Sequence, residues 1–302
     1  MAWKESDARM AAFDVLARLG VDPPDMELLR FGENALYAFR ERRLVVRVAR
    51  PSTEPGDVAR TVEFVRRIAA RGMPVSEPAY LPGLTQPVVT STGVVTLWTL
   101  HDVDAGCRVT APELGGLVRR FHDLAAPEAG LLGGWEPFGL IRARLAAAER
   151  DGLERSLTGP LVDLLRSLET AVGQLSARLG VGVMHGDMHY GNVLCLPGRR
   201  LLLIDFDQVC RGPREWDLVP NLVTVRRFGL AESEYQAFCA AYGFDLRISP
   251  DAETLVRLRE LGMVSWLLQQ YGTSAVIDEE IRLRVGSIGE PVGPPATRWH
   301  AH

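Results

Sequence analysis

His185-Gly186-Asp187-Met188-His189-Tyr190-Gly191-Asn192 constrains this chain more than any other stretch. An acidic residue, Asp187, sits in a tight loop, and an amide, Asn192, follows five positions later. Cys195-Leu196-Pro197-Gly198-Arg199-Arg200 turns one short strand into the next. The apolar run Leu201-Leu202-Leu203-Ile204 then delivers a second acidic residue, Asp205, eighteen positions after the first, followed by Phe206 and Asp207.

Phosphoryl transfer from a magnesium nucleotide needs these parts. One carboxylate must meet the attacking hydroxyl, while an amide and a second carboxylate hold Mg²⁺ against phosphate oxygens. Mg²⁺ takes oxygen ligands and keeps waters and phosphate oxygens, so one or two protein carboxylates suffice. Asp187 is therefore the expected base, with Asn192 and Asp205 the expected metal ligands. Asp207 returns to the same side of an extended chain and ranks below Asp205 as a ligand.

His-Gly-Asp-x-x-x-x-Asn followed by Ile-Asp-Phe-Asp resembles the aminoglycoside phosphotransferase and choline kinase-like family. The resemblance implies an α+β, two-lobed protein-kinase-like fold, with a small antiparallel-sheet N-lobe and a larger, mainly helical C-lobe. It covers about residues 28–285, and its firm anchors lie between 185 and 217. Residues 1–100 are then the nucleotide-binding lobe, 101–290 the catalytic and substrate lobe, and 291–302 a weakly ordered tail. ATP and Mg²⁺ are the implied cofactors.

The same resemblance assigns further roles. Gly32-Glu33-Asn34, between the first two strands, is the phosphate-covering loop, with an ordinary strand connection as the lesser alternative because it holds a single Gly. Arg47 stands where the third strand of this fold usually offers a Lys; the chain's one Lys is Lys4. Val46 and Val48 put Arg47 on the opposite strand face from themselves. Arg keeps the charge, but its geometry is not interchangeable with ammonium. Glu63, in mid-helix, is the candidate partner of Arg47, with a solvated surface Glu as the alternative. Thr99 and Leu100 lie at the interlobe hinge whose backbone receives the adenine edge. His185 orients the loop, Asp217 braces it by hydrogen bonding, and His189 is read as exposed, with substrate contact as the alternative.

Around these motifs, helices are expected at 5–19, with Met10, Phe13, Leu16 and Leu19 inward, and at 56–71, 113–124 and 138–153. The helix 161–179 has Leu164, Leu168, Val172 and Leu175 as its stripe. More helices follow at 214–227, 231–242, 251–271 and 274–285. Trp266, Leu267 and Tyr271 read as core, and His122 as a packing residue, because no partner ligands stand at metal spacing. Strands are expected at 28–31, 35–39, 44–49, 85–89 and 94–100.

The bulk properties bound the rest. A chain of 302 residues with formal charge −4 does not suggest a nucleic-acid-binding surface. The four cysteines show no C-x-x-C spacing, so reduced thiols in a cytoplasmic protein are expected. No apolar run approaches a membrane span.

The acceptor is expected to be a small-molecule hydroxyl compound, since the Arg of a His-Arg-Asp loop and an activation segment are both missing. Residues 1–100 carry 13 basic and 12 acidic side chains and the remainder 21 and 26. That acid bias suits a cationic acceptor, with Asp102, Asp104, Asp278, Glu279 and Glu280 the carboxylates of interest. An antibiotic phosphotransferase, for instance of an aminoglycoside, is the first expectation. A metabolic kinase of amino-alcohol, sugar or homoserine type is the second. A nucleotide-binding pseudokinase, suggested by Arg47, is the third.

Overall fold

The computed structural model describes residues 3–21, 26–32, 34–51, 53–291 and 296–300. Glu33 of the expected phosphate loop lies outside them. The chain divides into two compact units, and the division is discontinuous. The first holds Met1–Val109, Leu124–Leu132 and Tyr190–Val209; the second holds Thr110–Asp123, Gly133–His189 and Cys210–His302. The expected boundary near residue 100 thus lies close to one crossing of the chain, but 190–209 returns to the first unit.

The first unit opens with helix α1 (Glu5–Arg18) and strands β1 (Glu27–Phe31), β2 (Asn34–Phe39) and β3 (Leu44–Ala49). Helix α2 (Pro55–Ala70) and strands β4 (Val88–Val89) and β5 (Val94–Thr99) follow. The strands form one antiparallel sheet in the order β1-β2-β3-β5-β4, with Arg47 facing Leu36 on one side and Thr96 on the other. Alternation decides the faces: Val46 and Val48 are buried against α1, and Arg47 turns away.

Helix α1 presents most of the expected stripe: Leu16 is buried and Phe13 and Leu19 pack half-buried against the core, but the face is centred on small residues. Its buried face is Ala8, Ala11, Ala12, Val15 and Leu16, whereas Met10 is exposed. Small side chains let the helix backbone approach the sheet, so close packing decides the face rather than side-chain size. Strand β4 is shorter than expected, because Gln86 takes over its part of the ladder. The Gln86 amide donates to the Ala79 carbonyl at 2.7 Å and accepts from the Leu97 N–H at 2.6 Å.

The second unit is mainly helical: α3 (Ala111–Ala125, through Asp123), α4 (Gly139–Arg150) and α5 (Arg155–Val172), then α6 (Val219–Phe228), α7 (Glu232–Tyr242), α8 (Ala252–Leu267) and α9 (Ala275–Ser287). Strand β6 (Val181–Met184) precedes the loop carrying Asp187. Strands β7 (Val193–Leu196) and β8 (Arg200–Leu203) belong to the first unit, and β9 (Cys210–Pro213) pairs back onto β6. Leu114, Leu117, Val118 and Phe121 of α3 are buried as their spacing predicts. Helix α5 starts earlier than expected, and its buried stripe is Leu157, Leu161, Leu165 and Leu168 rather than one including Leu164. Pro160 lies inside this helix, past its first turn, where it removes one backbone hydrogen-bond donor.

Helix α8 packs against α4, α5, α6 and α9. It buries Glu260, which receives hydrogen bonds from Arg226 and Arg227. Trp266 on this helix is exposed, contrary to its expected core position, whereas Leu267 is buried.

Two further expectations are corrected. The stretch 296–300 is not weakly ordered: Trp299 is 3% exposed, donates its indole N–H to Ser287 Oγ at 2.9 Å and stacks under Arg227. Cys107 and Cys195 are not reduced thiols but a disulfide, with Cα atoms 6.0 Å apart. A separation of 88 residues carries no pairing signal; what aligns the two is the Asp104 N–H donating to the Cys195 carbonyl. Cys210 and Cys239 remain free thiols. Among the described residues, no helix is long and apolar enough to cross a membrane.

Candidate active site

In the second unit, β6 ends at Met184, paired with Cys210 of β9, and the chain enters the loop through His185, which is fully buried. Gly186 follows with φ of 88°, a left-handed conformation that glycine adopts without strain. Asp217, also fully buried, holds this turn. Its Oδ2 accepts the His185 N–H at 2.7 Å and its Oδ1 accepts the Gly186 N–H at 2.8 Å. His122 of α3 brings Nε2 to 2.9 Å from Asp217 Oδ2, and its Nδ1 lies 2.9 Å from the Tyr242 hydroxyl. The network is satisfied when His122 carries its proton on Nε2 and accepts from Tyr242. Trp216 closes the turn from the other side, donating its indole N–H to the Gly186 carbonyl at 2.8 Å. His122 is thus a packing residue, as expected, and it also braces the loop.

The loop presents Asp187 with both carboxylate oxygens engaged. Arg259 of α8 donates to Oδ1 at 2.7 Å, and His189 Nε2 lies 3.4 Å from Oδ2. Burial would raise this carboxyl. The hydrogen bond from His189 and the charge of Arg259 outweigh burial and hold the group well below the usual carboxylate range. His189 is therefore only partly exposed and touches Asp187 rather than standing clear of it.

In the first unit, the β7–β8 hairpin brings the two expected metal ligands to one end. The pairing of Val193 with Leu203 continues into the Ile204 N–H donating to the Asn192 carbonyl at 3.0 Å. Asn192 lies just before one strand and Asp205 just beyond the other. Asn192 is buried, and Asp205 is exposed in a left-handed backbone conformation with φ of 65°. An amide oxygen and a carboxylate are hard oxygen donors, the ligand type that Mg²⁺ selects, so this end of the hairpin fits that ion. Phe206 is buried against Phe64 of α2, which anchors the turn between the two aspartates.

Arg47 and Asn34 converge on Asp207. Its Oδ2 accepts from the Asn34 amide at 2.7 Å and forms an ion pair with the Arg47 guanidinium. The expected Glu63–Arg47 pair does not form. Glu63 pairs instead with Arg67 at 2.7 Å, one helical turn on, and both side chains are about half exposed. Local i,i+4 spacing supplies Glu63 with a cation, and the carboxylate within reach of Arg47 comes from the Asp-Phe-Asp turn.

Thr99 and Leu100 are corrected in one respect. Their N–H groups already donate to the Glu77 and Arg43 carbonyls, at 3.1 and 2.8 Å, so as donors to a purine edge both are committed.

Among the carboxylates considered for a cationic acceptor, Glu280 is 3% exposed and bound to Arg284 and His300. Asp278 accepts the Gly272 N–H, Asp102 pairs with Arg43, and Asp104 accepts the Gly106 N–H. Arg259 was not singled out in the sequence. It is one polar residue in a helix, 72 positions from Asp187, and no local pattern marks it.

The chain belongs to the phosphotransferase enzyme family, which matches residues 12–257. It is accordingly an enzyme of the phosphotransferase class. A hydroxyurea phosphotransferase of Kitasatospora aureofaciens is 29% identical over 143 residues, covering 47% of this chain and 40% of that protein. The match therefore spans less than half of that relative's length. An amicoumacin kinase, solved in complex with AMP-PNP, Ca²⁺ and Ami, superimposes with a TM-score of 0.76 at 17% identity, covering 97% of this chain and 98% of its own. A microcompartment-associated aminopropanol kinase does so with a TM-score of 0.68 at 19% identity, covering 92% and 94%. These likenesses show a shared fold, the two-part α+β architecture expected from the motifs.

Proposed function

We propose that this enzyme transfers the γ-phosphate of ATP, with Mg²⁺, to a hydroxyl of a small molecule. The observation that carries the reading is the braced loop holding Asp187 as a carboxylate, in a chain whose β7–β8 hairpin sets Asn192 beside Asp205. Asp187 accepts the proton of the acceptor hydroxyl as the new P–O bond forms and ADP departs. In a loose transition state that proton moves late, so a carboxylate of low basicity serves. Asn192 and Asp205 would hold Mg²⁺, which when bound neutralises charge on the phosphate oxygens. Arg47, positioned by Asp207, binds phosphate, and Asn34 contributes from the start of β2. Thr99 and Leu100 flank the purine through carbonyl oxygens. The first unit carries the nucleotide residues, and Asp187 lies in the second.

For the acceptor, an antibiotic, of aminoglycoside or another type, is the first reading, and the hydroxyurea and amicoumacin enzymes among the relatives support a drug-like acceptor. A metabolic amino-alcohol kinase is the second, supported by the likeness to the aminopropanol kinase. The test incubates the purified protein with MgATP and a panel of hydroxylated amines, amides, sugars and antibiotics, hydroxyurea included. Mass spectrometry then reads the gain of one phosphoryl group. Turnover lost in Asp187→Asn is the expected result; unchanged turnover in that variant would end the base assignment.

A further inference from the structure

Arg259 has a singular setting among the arginines around α8. Arg227 is bonded on all sides, to Glu260, Glu290 and the carbonyls of Ser287 and Thr297. Arg226 is bonded to Glu260 and the carbonyls of Glu290 and Pro291, and Arg257 is paired with Glu253. Arg259 spends one N–H on Asp187, and that is its contact among the described residues. A guanidinium has five N–H donors in a planar fork, so this one keeps donors to spare beside the reacting carboxylate. Its side chain is 21% exposed.

The helix continues that surface. Met263 and Trp266 stand four and seven residues on from Arg259, which is one stripe of an α-helix. All three reach solvent, while Leu255, Leu258, Leu261 and Val264 of the same helix are buried. Seven residues of helix span about 10 Å. Along the helix a basic fork is therefore followed by a thioether and an indole face.

We infer that Arg259 recognises the acceptor through an oxygen atom of a carbonyl or carboxylate beside its reactive hydroxyl, and that Met263 and Trp266 receive an apolar extension of the same molecule. This rests on Asp187 being the base. A hydroxyl donating to Asp187 and an oxygen accepting from Arg259 are separated by little more than the 2.7 Å bond between those two side chains. Hydroxy acids, hydroxy amides and N-hydroxy amides have that spacing. The guanidinium fork matches carboxylate and carbonyl oxygens and repels ammonium. A cation next to the hydroxyl would meet Arg259 and His189 on either side of Asp187. Of the acidic side chains on α9, Glu280 is committed to Arg284 and His300 and Asp278 accepts the Gly272 N–H, which leaves the exposed Glu279.

The experiment offers MgATP and matched pairs of aromatic acceptors with and without the carbonyl, such as N-benzylglycolamide against N-benzylethanolamine. Wild type, Arg259→Met, Arg259→Lys and Trp266→Ala are compared, with MgATP binding followed by calorimetry. The expected result is turnover confined to the carbonyl-bearing members. Arg259→Met then raises their KM roughly 10- to 100-fold, the loss of a charge-assisted hydrogen bond, with the KM for ATP unchanged. Arg259→Lys recovers part of that loss, and Trp266→Ala raises KM with little effect on kcat. Turnover of the carbonyl-free members, or a KM indifferent to Arg259→Met, overturns the inference. So does MgATP binding with no turnover of any carbonyl-bearing acceptor. A protein that does not bind MgATP removes the phosphotransfer reading beneath it, a separately visible failure.

Discussion

Asp217 makes no contact with the hydroxyl to be phosphorylated, yet its removal should be among the most damaging changes to the loop that carries Asp187. Its carboxylate is fully buried and accepts from the His185 N–H, the Gly186 N–H and His122 Nε2. In Asp217→Ala all three groups lose their acceptor. A buried group left unsatisfied costs about 1–3 kcal/mol, so the three together cost on the order of 3–6 kcal/mol once water relieves part of the loss. Asp217→Asn is milder. Its amide oxygen can keep the two donors now on Oδ2, and its NH₂ then faces the Gly186 N–H, for a loss of roughly 2–3 kcal/mol. The milder variant should therefore melt about 5–10 °C below wild type. Displacing Asp187 by about 1 Å costs around 100-fold in turnover, so kcat should fall by that order while the KM for ATP holds. Thermal melts and steady-state kinetics on both variants, with His122→Ala as the third corner of a double-mutant cycle, measure these effects. Equal melting temperatures for wild type and both variants, or additive effects of His122→Ala and Asp217→Asn, would refute the bracing argument.

Three further outcomes are expected. Arg259→Met removes a cation that keeps the Asp187 carboxyl low while burial, which raises it, remains; the acid limb of the kcat profile should move to higher pH. The sign follows from linkage: a depressed carboxyl contributes stability above its ordinary range, lost as pH falls through that range toward the lowered value, and the variant should keep less of this slope, because His189 remains to lower the group. Arg47→Ala and Asp207→Ala should each raise the KM for ATP at least tenfold, about the worth of one charge-assisted hydrogen bond, whereas Glu63→Gln should leave it within about twofold, because Glu63 pairs with half-exposed Arg67 rather than with Arg47. Thiol titration of the unfolded, unreduced protein should find the two cysteines outside the disulfide, Cys210 and Cys239; Cys107→Ser should lower stability by about 4–5 kcal/mol, the chain-entropy value for the 88-residue separation. Titration of all four thiols would contradict the pairing.

Much of the fold was legible because local patterns carried it. The β2–β3 hairpin follows from alternation, the end of α2 from Gly72, and the inward face of α3 from helical spacing. On α1 the expectation failed at Met10 and missed the buried alanines, which leave no hydrophobic signature, while Leu16, Phe13 and Leu19 do face the core; the Trp266 face of α8 was misread because an exposed indole looks like core. Among the candidate site residues, motif spacing singled out Asp187, Asn192 and Asp205, and hairpin pairing explains why the last two share an end.

By itself the sequence determined the residue types and the spacing of one loop and one hairpin, since those depend on neighbours a few positions apart. Which charges meet was decided only by tertiary structure. Arg47 and Asp207 are 160 positions apart, Asp187 and Arg259 are 72, and Cys107 and Cys195 are 88. Electrostatic and covalent partners are chosen by distance through space, and a linear chain carries no record of that distance until its elements have packed.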